Sequence, residues 1–126
     1  MSYVNTDQLG TDHREWLNKL DFYKDDLVVL NKRLTEIASK NTSTDASAGI
    51  EHFQNQFIIQ RNNIDELKHM INESAHEVFV DAKDHKGRVH TDRIAQYNDT
   101  EEKIKAFEKV MKELRSEFQS YSAKWI

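Results

Sequence analysis

Residues 16–37 read WLNKLDFYKDDLVVLNKRLTEI. Within them Trp16, Leu20, Tyr23, Leu27, Leu30, Leu34 and Ile37 recur at alternating steps of four and three. This spacing keeps one stripe of a helix turned toward a partner helix, and all seven positions are apolar, so the segment reads as one long amphipathic helix. The same spacing returns twice. Ile50, Phe53, Phe57, Gln60, Ile64, Leu67, Ile71, Ser74 and Val78 form a second stripe. Tyr97, Thr100, Ile104, Phe107, Met111, Leu114, Phe118, Tyr121 and Trp125 form a third.

Punctuation falls between the stripes. Asn41 is a tolerable helix terminator, and Thr42, Ser43, Thr44 and Asp45 all have side chains able to cap a helix start. Gly87 can take the left-handed conformation that ends the second helix, and Thr91 or Asp99 can open the third. The reading is an all-α single domain over residues 1–126. Three long helices, at about 11–40, 44–86 and 91–125, form an antiparallel coiled-coil-like bundle after an aperiodic arm at 1–10.

Short connections also predict a register. Helices one and two align when facing residue numbers sum to 87, and helices two and three when they sum to 178. Expected layers then include His13/Ser74/Ile104, Trp16/Ile71/Phe107 and Leu20/Leu67/Met111. Gln60, a polar entry in the seam, reads as a register-fixing residue. His13 beside Ser74 reads as a satisfied histidine near one end.

Composition agrees with a thin bundle. Of 126 residues none is proline and three are glycine, too few for the turns of an all-β fold. Cysteine is absent, which removes disulfides, thiolate metal ligands and cysteine nucleophiles. No apolar run approaches the roughly 20 residues of a membrane span, and residues 1–7 lack the pattern of a signal peptide. A cytoplasmic protein is expected. Net charge is −4. The basic residues of the third helix, Lys103 to Arg115, alternate with glutamates, so no field suited to nucleic acid builds up.

One run invites a metal reading. Glu66, His69, Glu73 and His76 contain two Glu-x-x-His units, the spacing of ferritin-like di-iron proteins, and His69 with Glu73 matches the haemerythrin spacing. The seam, however, turns Leu67 and Ile71 inward and these four residues outward, and the other helices offer apolar residues at that level. No resident metal, cofactor, catalytic residue or small-molecule substrate is expected. A metal- or ligand-binding bundle is the alternative.

The amide-rich run His52-Phe53-Gln54-Asn55-Gln56-Phe57-Ile58-Ile59-Gln60-Arg61-Asn62-Asn63, continued to His69, resembles stretches of uncharacterised small helical bacterial proteins over about a quarter of the chain. That resemblance implies a bacterial source and no known activity.

What remains is apolar surface. Leu17, Phe22, Val29, Met70 and Val110 flank the seams and are expected to be partly buried. Val28, Ile58, Ile59, Phe79 and Val80 fit no seam, and Val89 and Ile94 lie at the tip of the second hairpin. Ile58 and Ile59 are expected on the same outer side as Phe79 and Val80. Contiguous exposed apolar surface marks an interface. The expected function is therefore a non-enzymatic interaction or scaffold protein that pairs as a homodimer, or docks another protein, through these seven residues.

Overall fold

The structure, a computed structural model, describes residues 3–84, 88–90 and 92–125, with side chains at 9–84 and 93–125. A strand β1 (Tyr3–Asn5) leads into α1 (Thr6–Lys40), followed by α2 (Thr44–Asp84), a strand β2 (Arg88–His90) and α3 (Asp92–Trp125). The chain is an all-α three-helix bundle, closed at one end by a two-stranded ribbon in which β1 pairs antiparallel with β2, Val4 opposite Val89. At 35, 41 and 34 residues the helices run about 50–60 Å at 1.5 Å per residue.

The three stripes make the core. Leu20, Leu34, Ile37, Ile64, Ile71, Ile104, Met111 and Phe118 are almost fully buried. Tyr23, Ile50, Tyr97, Tyr121 and Trp125 pack at its margins. The continuity of the stripes explains the continuity of the helices. α3 passes through Asn98-Asp99-Thr100 unbroken, with Thr100 buried and its hydroxyl donating to the Gln96 carbonyl at 3.0 Å.

Helix bounds differ from expectation at three places. α1 starts at Thr6 rather than near residue 11. Leu9 and His13 extend the four-three spacing backwards from Trp16, and Leu9 is buried against Val78, Ala82 and Tyr97. The arm thus joins the bundle instead of trailing from it. α2 stops at Asp84 rather than 86, and α3 opens at Asp92 rather than 91. The proposed caps at Gly87 and Thr91 lie outside the described residues. Of the four candidate caps before α2, Ser43 is the one used: its Oγ accepts from the Ala46 amide at 3.2 Å.

Register is half as expected. α1 and α2 run antiparallel with His13 against Ser74, whose numbers sum to 87, and with Asp21 beside Lys68 and Lys24 beside Asp65. α2 and α3 do not meet at 178. Phe53 packs on Phe118 with ring centroids 5.2 Å apart, and Glu77 pairs with Arg93 at 2.9 Å, which centres the register near 171. α3 is therefore displaced by one heptad. Tyr23 contacts Phe107, and Trp16 contacts Tyr97 instead of Phe107. The cause is the connection. Three extended residues of β2 cover about 10 Å at 3.3 Å each, nearly the 10.5 Å rise of seven helical residues. The chain can therefore return that far alongside α2 before α3 begins. A heptad slip keeps every apolar residue facing inward, so the stripe alone permits either register.

Candidate interaction surface

Each pair of helices leaves an outer groove, and the residues one step outside the seam decide its character. Between α1 and α2, near their shared turn, Lys24, Leu27, Val28 and Asn31 face Gln54, Asn55, Phe57, Ile58 and Arg61 across an open groove of about 420 Å³. Leu27 and Phe57 are core residues that form its floor. Val28 and Ile58, 64% and 58% exposed, form its apolar walls. Gln54, Asn55 and Asn31 supply uncharged hydrogen-bonding groups. This places part of the amide-rich run, whose role the sequence left open. Gln60 turns inward instead, is buried, and accepts a bond from the Asn63 amide at 3.2 Å. Beyond Glu51 the same flank continues toward the turn, where Glu51, Gln54 and Ile50 face Ala38 and Asn41.

The other sequence-derived interface residues do not join this groove. Ile59, Val80 and Ile94 are exposed, and Phe79 is 65% exposed, the largest uncovered apolar side chain near the ribbon end. The Val89 side chain lies outside the described residues. Ile58 and Phe79 are 21 residues apart on one helix, about 31 Å. The exposed Glu66, His69, Glu73 and His76 lie between them along the outside of the helix. The expected single outer patch is therefore corrected to separate ones: Val28 with Ile58 near the turn, and Phe79, Val80 and Ile94 near the ribbon. The flanking residues also divide. Leu17 and Met70 are partly buried as expected, whereas Phe22, Val29 and Val110 are exposed, because they point past the neighbouring helix rather than over it.

The His-and-Glu run stands outward. His69 Nε2 lies 3.0 Å from Glu73 Oε1, with both side chains mostly in solvent. Among the described residues no group of three or more His, Asp or Glu side chains converges as a metal site. At the level of that run, Leu20, Ile64, Leu67, Ile104 and Phe107 fill the core.

A polar cluster does gather at the ribbon end. Buried His13 and Ser74 are hydrogen-bonded through Nε2 and Oγ at 3.4 Å, and the His13 ring packs on Trp16. Burial lowers the His13 pKa from its usual 6.5, against a smaller opposing pull from Asp12. Tyr97 donates to Asp12 Oδ2 at 2.7 Å, and that bond, more than burial, raises its pKa. These bonds link α1 to α2 and α1 to α3. Their chemistry is that of a satisfied buried network. At the opposite end, the Asn41 side-chain amide donates both to the Ile37 carbonyl, 2.9 Å, and to the Trp125 carbonyl, 3.0 Å, tying the C-termini of α1 and α3 together.

Among the described residues no helix is long and apolar enough to cross a membrane. No family model matches the chain, and neither a curated protein nor a solved structure does.

Proposed function

We propose that this chain is a non-enzymatic helical interaction protein that associates with a second copy of itself. The observation that supports this reading is the exposure of Val28 and Ile58 on facing walls of the α1–α2 groove. Apolar side chains brought together at outer positions, where a solitary bundle carries charge, favour burial by a partner. Removing such surface from water contributes about 25 cal/mol per Å², set against the entropy of association. A dimer is the simplest closed assembly. The cysteine-free composition supports placement in the cytoplasm, and the amide-rich run supports a bacterial source.

Light scattering coupled to size exclusion tests the reading. A dimer is expected at micromolar concentration. A monomer that persists to several hundred micromolar rejects self-association.

A further inference from the structure

Ion pairs bridge the other helix edges at points along them, beside open stretches where Val29 (α1–α3) and Val110 (α2–α3) are exposed. Lys19–Glu108, at 3.2 Å, and Asp26–Arg115, at 3.7 Å, span the α1–α3 side, and Glu77–Arg93 spans α2–α3 near the ribbon. On the α1–α2 side, Asp21–Lys68 and Lys24–Asp65 close only the half toward the ribbon. In the half toward the turn that pattern gives way to Val28, Ile58 and the amides of Asn31 and Gln54.

This neutral stretch has a charge at each end. Glu51, Gln54, Ile58 and Arg61 follow one another at steps of three and four along the α1-facing flank of α2. Glu51 and Arg61 therefore stand about 15 Å apart on one face. Neither has an ion-pair partner among the described residues. The strip is its own complement when reversed. A two-fold axis across the helices at the level of residue 56 exchanges the level of Glu51 with that of Arg61. It also exchanges the level of Gln54 with that of Ile58. In the register of α1 and α2, Asn31 lies at that same level.

We propose that this half of the α1–α2 groove is a two-fold interface with a second copy of the chain. α2 lies antiparallel on its counterpart, so that Glu51 of each protomer meets the partner's Arg61 and the Val28 and Ile58 walls are covered. The two facing charge pairs set direction and register, as opposite charges do at the edges of paired helices. The central amides sit near the axis, where like charges would repel their own copies. This inference rests on the proposed self-association and names its surface. It leaves Phe79, Val80 and Ile94 outside the interface.

Sedimentation equilibrium of the full chain separates the possibilities, with circular dichroism confirming that each variant is folded. Glu51→Arg alone and Arg61→Glu alone should each weaken dimerisation at least tenfold, because each sets like charges opposite. The combined variant should restore it. Asn31→Cys, in a chain with no other cysteine, should form a disulfide-linked dimer on mild oxidation. A wild-type dimer that ignores both single charge reversals and does not cross-link through Asn31→Cys overturns the proposed surface while leaving self-association standing. A wild-type monomer overturns both.

Discussion

Gly49 shows how a single residue can look like a defect in sequence and act as a fitting in structure. Glycine inside a helix costs about 0.5–1 kcal/mol relative to alanine. Here a Cβ at position 49 would stand 2.2 Å from Tyr121 Cε1, and the Tyr121 hydroxyl donates to the Ala46 carbonyl at 2.8 Å. The missing side chain is what lets Tyr121 lie across α2. Gly10 has nothing within 4 Å of its own hypothetical Cβ and gains no such contact. The two glycines should therefore respond oppositely to alanine. Gly49→Ala is expected to destabilise by about 1–3 kcal/mol through overpacking. Gly10→Ala is expected to stabilise by up to about 1 kcal/mol. Chemical denaturation of both variants checks the contrast, and two shifts of the same sign would refute it.

At the scale of elements, the lesson concerns α3. Its stripe was legible from Tyr97 to Trp125, and the inward face it implied is the one buried. Its height along α2 was not legible, because a heptad slip preserves the stripe and exchanges one set of apolar neighbours for another. The deciding element is β2, whose three residues carry no helical period and whose pairing with β1 joins positions 85 residues apart. Cysteine pairs test the register directly. Leu67→Cys with Ile104→Cys should form an intramolecular disulfide, since these positions sum to 171. Leu67→Cys with Met111→Cys should not. Leu20→Cys with Leu67→Cys should also close, in the register of α1 and α2. Cross-linking through Met111 but not Ile104 would return α3 to the unshifted position.

The stability of the whole molecule inherits the pH response of its ribbon end, where buried His13 of α1 is hydrogen-bonded to Ser74 of α2. Its pKa is lowered by burial, so well above the ordinary value of 6.5 it is neutral in both folded and unfolded chains and contributes no pH dependence. As pH falls below about 6.5, the unfolded chain takes up the proton first, and stability declines until the folded-state pKa is passed. The slope from this group is at most about 1.4 kcal/mol per pH unit. Thermal melts between pH 8 and pH 5 should show a steeper loss for the wild-type chain than for His13→Gln. Parallel pH profiles would assign the acid sensitivity elsewhere.

The sequence by itself determined three helices, which face of each is buried, and the pairing of α1 with α2. These follow from periodicity and from a connection too short to permit another register. It also placed Glu66, His69, Glu73 and His76 outside the core, since inward and outward positions alternate in a fixed way along a helix. Only the tertiary structure decided the height of α3 and the inclusion of Leu9 and the arm in the bundle. Both depend on distances between segments remote in sequence. A stripe records which way a side chain points, and it carries no record of what stands opposite.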